Sequence, residues 1–138
     1  KRELFKNRPA AWSLERLGGF RVDRGRFDLR AVRLALAVLR RGDVLGMYPE
    51  GTRSPGRLLP FLDGAAWVAL RTGAPLIPVS LLGTAGAGHA RVPRRVHVRV
   101  VFGTPLEVER IDGASKRRRL AANLTTELRP AIEAGLAV

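Results

Sequence analysis

A short apolar run that leads into proline and a polar loop constrains the possible folds of this chain more than any other feature. Residues 44–48 (VLGMY) predict a short buried strand. Pro49 is expected to end that strand, because proline has no amide N–H for a ladder hydrogen bond. Residues 50–54 (EGTRS) then supply a carboxylate, a glycine, a guanidinium and two hydroxyls. A strand end that opens into such a loop is a plausible place to bind an anion.

The residue types in this loop suit a phosphate group. Gly51 allows the chain to take a positive φ and to bring backbone N–H groups close to a ligand. Arg53 carries a planar fork that matches phosphate oxygens, and Thr52 and Ser54 can donate hydrogen bonds to the same oxygens. The alternative interpretation is a polar turn with a surface ion pair between Glu50 and Arg53.

Hydrophobic periodicity around the loop predicts alternating helices and strands, which is the pattern of an α/β fold. Helices are predicted at residues 9–18, 28–42, 63–73 and 114–134, and strands at 20–22, 44–48, 76–82 and about 96–101. Asp28 is expected to cap the second helix. Pro130 is expected to interrupt or end the last one.

Three packing details follow from the same pattern. Residues 29, 32, 36 and 39 form an apolar stripe on the second helix, and the small residues 64–66 let the third helix approach the sheet closely. The apolar strand 76–82 is expected to be covered on both faces. The alternation in residues 96–101 predicts a half-exposed strand with His97 at the surface.

Composition indicates one globular domain with an anionic partner. The chain has 138 residues, a hydrophobic content of 46% and a net charge of +13. It has no cysteine and two histidines without ligand spacing, so no metal site is predicted. Nucleic acid, an anionic membrane surface and anionic small molecules all fit the charge. Only eight aromatic residues are present, which gives little support for base stacking on nucleic acid.

Two segments bear on membranes. Residues 72–90 lack charged side chains, but two prolines and four glycines favour a strand and a loop over a membrane span. The cluster at residues 116–119 (KRRR) opens the last predicted helix. Its basic face predicts association with an anionic membrane surface, on the cytoplasmic side.

Three ordered segments resemble the motifs of the glycerolipid acyltransferase family, which includes the 1-acylglycerol-3-phosphate acyltransferases. Residues 19–24 (GFRVDR) are similar to the family's second motif, 48–54 (YPEGTRS) to its third, and 74–79 (APLIPV) to its fourth. Residues 1–5 resemble the segment that precedes the second motif, and the whole resemblance extends to about residue 102.

The resemblance implies a mixed sheet flanked by helices, as in glycerol-3-phosphate acyltransferases, and acyl transfer to lysophosphatidic acid. The donor is expected to be acyl-CoA or acyl carrier protein, with no other cofactor. The acceptor phosphate is expected to be bound by five residues: Arg24, Glu50, Gly51, Thr52 and Arg53. Glu50 is expected to orient an arginine or to accept from a glycerol hydroxyl.

The family's catalytic motif, His-x-x-x-x-Asp, is not formed by either histidine. Arg94 stands five positions after His89, and Phe102 stands five positions after His97. The resemblance therefore implies a single acyltransferase domain over residues 1–138 that is incomplete at its N-terminus and inactive by itself.

A departure from the family pattern leaves the acceptor open. Many members have lysine after the phenylalanine of a Phe-x-x-Gly segment, where this chain has Phe61, Leu62 and Asp63. The alternatives are an acyltransferase for another lysolipid or lipid hydroxyl, a non-catalytic lipid-phosphate-binding module and, least favoured, a nucleic-acid-binding domain.

Overall fold

The computed structural model divides the chain into two compact units, residues 1–45 and residues 46–138. It describes residues 11–13, 16, 18–20, 22, 28–52, 57–84 and 97–137. The named elements are the helices α1 (Leu29–Arg40), α2 (Gly64–Thr72) and α3 (Ala114–Leu136) and the strands β1 (Val79–Leu82) and β2 (Arg99–Phe102).

Helix α1 begins where the sequence predicts. The Asp28 carboxylate caps it, because Oδ1 accepts hydrogen bonds from the amides of Arg30 and Ala31, each at 3.0 Å. The predicted apolar stripe is only partly buried: Leu29 is exposed, and the fully buried residues are Ala31 and Ala35. The helix therefore packs through its small side chains. The predicted stripe was built from large apolar residues and so did not include them.

The predicted strand at residues 44–48 is not observed, and Val44 is 94% exposed. Of the predicted strand at residues 20–22, Phe20 and Val22 lie outside regular structure, and Arg21 lies outside the described residues. A strand needs a neighbour for its backbone hydrogen bonds. In the part of the chain that the structure describes, the sheet consists of β1 and β2, which pair with each other.

Strands β1 and β2 are antiparallel, with Ser80 opposite Val101. The pairing continues irregularly before β1, where Gly103 donates to the Pro78 carbonyl at 2.8 Å and Leu76 bridges Leu106. The predicted strand 76–82 is thus shortened, because Pro78 has no N–H to contribute.

Only one face of this sheet is buried, so the prediction that both faces of residues 76–82 are covered is wrong. Ser80 is 3% exposed, whereas Val79 and Leu81 are exposed. On β2 the half-buried residue is Val101, while His97 and the alternating valines Val98 and Val100 are exposed. The surface position of His97 is confirmed.

Helix α3 covers the buried face of the sheet. The Ser80 hydroxyl donates to the Ile132 carbonyl at 2.7 Å. Gly135 lies so close that a Cβ there would stand 2.5 Å from Ser80 Oγ and 3.0 Å from Ser80 Cβ. The helix continues through Pro130 to Leu136, so the predicted interruption is wrong. Tertiary contacts on both sides of Pro130 outweigh the hydrogen bond that proline removes.

Helix α2 packs against α3, and its end is set by Gly73 at φ +80°. The core cluster consists of Ala66, Leu70 and Ala121. The small residues of α2 therefore allow close approach to a helix, where the sequence predicted approach to the sheet.

The predicted basic face of the last helix is also modified. Arg117 is only 7% exposed, and its Nε and Nη2 both donate to the Ile111 carbonyl, at 3.1 and 2.9 Å. Lys116, Arg118 and Arg119 remain exposed. No helix among the described residues combines the length and the apolar character that a membrane crossing requires.

Candidate functional site

The predicted binding loop contains a tight turn at residues 48–51. The Gly51 amide donates to the Tyr48 carbonyl at 3.0 Å, and Gly51 has φ +63°. The positive φ confirms why glycine is needed here. The same hydrogen bond shows that the Gly51 N–H is used within the turn.

The turn is held against residues 59–62 of the same unit. The Leu62 amide donates to the Pro49 carbonyl at 2.8 Å. A Cβ on Gly51 would lie 2.7 Å from Leu62 Cδ1. Gly51 is therefore required for its backbone conformation, whereas the exposed Leu62 side chain could move aside for a Cβ.

Glu50 has a structural partner that the sequence did not predict. Its Oε2 accepts a hydrogen bond from the Leu59 amide at 2.7 Å, and both residues are half-buried. Hydrogen bonds to a charged acceptor are stronger than neutral ones. The carboxylate therefore joins two chain positions nine residues apart and fixes the direction of the turn.

The predicted site residues divide into two groups. The structure places Glu50, Gly51 and Thr52 together in and after the turn, with Thr52 exposed to solvent. Arg24 and Arg53 lie outside the described residues, so their contacts with phosphate stay predictions.

A residue from far along the chain completes this arrangement. Arg129 on α3 donates from Nη1 to the Leu59 carbonyl at 3.2 Å, and its guanidinium lies 5.4 Å from the centre of the Phe61 ring. Seventy positions separate Arg129 from Leu59. No local motif links them, so the sequence offered no signal for this contact.

The chemistry available here is recognition of a ligand. A fixed carboxylate, an exposed hydroxyl and a glycine turn can orient hydroxyl or phosphate groups. The Glu50 carboxylate, held by the Leu59 amide, suits orienting a substrate.

Comparisons with known proteins agree with the motif assignment. The sequence model of a family described as Acyltransferase matches residues 1–82. A 1-acyl-sn-glycerol-3-phosphate acyltransferase of Bacillus subtilis is 27% identical over 122 residues, which are 88% of this chain and 60% of that protein. A chloroplastic 1-acyl-sn-glycerol-3-phosphate acyltransferase of Brassica napus is 30% identical over 107 residues, which are 73% of this chain and 31% of that protein.

A solved structure shows the same fold. The 1-acyl-sn-glycerophosphate (LPA) acyltransferase PlsC from Thermotoga maritima superimposes with a TM-score of 0.59 at 26% identity. The match covers 93% of this chain and 53% of that protein. The predicted α/β class of the glycerol-3-phosphate acyltransferase type is therefore confirmed. The chain spans between about a third and three fifths of the length of these relatives.

Proposed function

Because the chain belongs to the acyltransferase family, we propose that the protein acylates the free hydroxyl of lysophosphatidic acid to give phosphatidic acid. The Bacillus, Brassica and Thermotoga relatives, all named as acyltransferases for this acceptor, support the proposal. The observation that carries it is the match of the Acyltransferase family model to residues 1–82, a segment that includes the glycine turn at residues 48–51.

The proposed reaction converts a thioester into an oxygen ester. The acceptor oxygen attacks the thioester carbonyl of acyl-CoA or acyl carrier protein. The new C–O ester bond forms, the C–S bond breaks, and the proton of the hydroxyl leaves with the thiol product. The general base is assigned to the family's His-x-x-x-x-Asp motif, which neither His89 nor His97 forms.

This chain is proposed to bind the acceptor phosphate. Arg24 and Arg53 would grip the phosphate oxygens, and Thr52 would donate a hydrogen bond from its exposed hydroxyl. The Glu50 carboxylate repels phosphate, so its proposed role is to stabilise the turn through Leu59 and to accept from a glycerol hydroxyl. The net charge of +13 supports an anionic substrate.

The test is Arg53→Ala, assayed in a form of the protein whose wild type acylates lysophosphatidic acid. Acceptor kcat/KM should fall by about ten- to a hundred-fold through a higher acceptor KM, since hydrogen bonds to charged groups contribute about 1.5–3 kcal/mol. Arg53→Lys should recover only part of the loss. Arg40→Ala, at an exposed arginine outside the predicted loop, is the control. A lower melting temperature with an unchanged acceptor KM would contradict the assignment.

A second candidate is an acyltransferase for another lysolipid or lipid hydroxyl. It is favoured by Leu62 and Asp63, which stand where many family members have lysine. The Leu62 amide is used in the hydrogen bond to Pro49. Comparing lysophosphatidic acid with a neutral-headgroup lysolipid decides between the two, because a phosphate-directed site should prefer the former strongly.

Membrane association is proposed to be partly electrostatic, on the cytoplasmic face. Three exposed basic residues at the start of α3 support it: Lys116, Arg118 and Arg119. Each basic residue near an anionic leaflet contributes about 1 kcal/mol. Co-sedimentation with vesicles should rise with anionic lipid and fall with salt, and Arg118→Ala with Arg119→Ala should weaken it. Equal binding to neutral and anionic vesicles would contradict the proposal.

A further inference from the structure

The backbone of Leu59 lies between the predicted binding turn and helix α3. Its N–H donates to Glu50 Oε2 at 2.7 Å, and its C=O accepts from Arg129 Nη1 at 3.2 Å. Leu59 thus connects a carboxylate of the turn, through its N–H, to a guanidinium of the helix, through its C=O.

Arg129 is itself held by two further contacts. Its Nε donates to Glu133 Oε1 at 2.9 Å, one helical turn away. Its guanidinium also lies 5.4 Å from the centre of the Phe61 ring, within the range of a cation–π interaction. The planar group therefore has a carboxylate, a carbonyl and an aromatic ring as neighbours, and these restrict its position.

Helix α3 is a rigid support for this arginine. One turn beyond Arg129, the Ile132 carbonyl accepts the buried hydrogen bond from Ser80 of β1. Leu128 and Ile132 are both buried. A side chain presented from a well-packed helix is placed more accurately than one presented from a loop.

We propose that Arg129 is a positioning residue for the acceptor site. It holds Leu59, and Leu59 in turn orients the Glu50 carboxylate and the turn at Gly51. This inference rests on the proposed function of that turn. It adds a residue of the C-terminal helix, outside the segment 1–82 that matches the family.

Hydrogen exchange tests the positioning directly and does not need activity. In the 138-residue chain, Arg129→Ala should speed exchange of the backbone amides in residues 57–62 by about five-fold or more. The reason is that the Leu59 amide is then less well protected by its hydrogen bond to Glu50. Amides in α2 should be unchanged. Arg129→Lys should give an intermediate rate, since an ammonium lacks the planar fork.

Arg110→Ala is the matched control, because Arg110 also pairs with a carboxylate, that of Asp112 at 3.5 Å. It should leave exchange in residues 57–62 as in the wild type. Unchanged exchange in Arg129→Ala would overturn the proposal. Equal acceleration in residues 57–62 and in α2 would also overturn it, because that pattern indicates general loss of stability.

Kinetics then separate this inference from the proposed function. In a form of the protein that is assayed for acyl transfer, Arg129→Ala should raise the KM for lysophosphatidic acid by about three- to ten-fold and leave the acyl-CoA KM unchanged, with partial rescue by Arg129→Lys. A wild-type protein without activity toward lysophosphatidic acid would refute the proposed function, and the exchange result alone would then decide whether Arg129 orders the turn. An active wild type with an unchanged acceptor KM in Arg129→Ala would overturn the positioning role.

Discussion

The two ends of helix α3 each have an arginine that makes the same kind of contact, but the two arginines differ in what they stabilise. Near the start of the helix, Arg117 donates to the Ile111 carbonyl and lies 5.4 Å from the ring centre of Trp67. Near the end, Arg129 donates to the Leu59 carbonyl and lies 5.4 Å from the ring centre of Phe61. In both places a guanidinium binds the backbone of an earlier segment and stacks on an aromatic ring.

Burial distinguishes the two arginines. Arg117 is 7% exposed and directs two N–H groups at one carbonyl beside the core cluster of Ala66, Leu70 and Ala121. The Arg129 side chain is 39% exposed and divides its donors between a carbonyl and the surface carboxylate of Glu133. A charged hydrogen bond contributes more where water is excluded. We therefore expect Arg117 to act mainly on stability and Arg129 mainly on the geometry of the turn.

The largest expected effect is that of Arg117→Ala. Removing both hydrogen bonds leaves the Ile111 carbonyl without its arginine donors and a space beside Trp67, so the free energy of unfolding should fall by about 3 kcal/mol. Denaturant titration of the 138-residue chain measures it. Arg118→Ala, at the exposed neighbour, should change stability by less than about 0.5 kcal/mol. Equal effects of the two substitutions would remove the distinction between buried and exposed arginines.

Gly135→Ala sharpens the comparison at the other end of the helix. Helix propensity alone predicts stabilisation by up to about 1 kcal/mol. The added Cβ would instead meet Ser80, whose hydroxyl is already committed to Ile132, so we expect a loss of about 1–3 kcal/mol. The sign of the change in melting temperature therefore decides whether close packing on the sheet stabilises this end. Ala134→Ser, at the exposed neighbour, is the control and should have little effect.

Arg129→Ala should cost only about 1 kcal/mol of stability, because solvent screens a partly exposed guanidinium. Measured beside Arg117→Ala in the same titration, it should show a clearly smaller shift of the transition midpoint. If the two losses were the same, Arg129 would be a stability residue and the contrast between the two ends would fail.

The smallest expected effect is that of Glu133→Gln. The Arg129–Glu133 pair is an exposed i,i+4 ion pair, of a kind that contributes about 0.3–0.5 kcal/mol. Thermal unfolding should show that the free energy of unfolding decreases by about that amount. Raised salt should reduce the difference in stability between the variant and the wild type. A loss above about 1.5 kcal/mol would mean that Glu133 is essential for holding Arg129.

Predictions from the sequence were correct where the structural feature depends on neighbouring residues in the chain. Asp28 caps α1, Gly73 ends α2, and Gly51 takes the positive φ that the loop requires. Each depends on the backbone geometry within a few residues, which residue type restricts directly. The same is true of the family assignment, because motif order and spacing are properties of the chain itself.

Predictions that required knowledge of neighbours were less successful. Residues 44–48 have the composition of a strand but no strand beside them in the described part of the chain. Pro130 was expected to interrupt or end α3, yet the helix continues because Ile132 and Gly135 pack against Ser80 beyond it. Arg117, counted with the basic face, is instead a buried partner of Ile111.

The sequence by itself determined the family, the α/β class, the helix ends at Asp28 and Gly73 and the glycine turn of the candidate site, since these depend on residue type and spacing. Only the tertiary structure decided which face of the sheet is buried, that α3 passes through Pro130, and that Arg129 reaches the backbone of Leu59, which Glu50 also binds. These features depend on residues up to 70 positions apart. Their stabilisation comes from packing and hydrogen bonds that form only when the elements meet, so no local pattern in the chain encodes them.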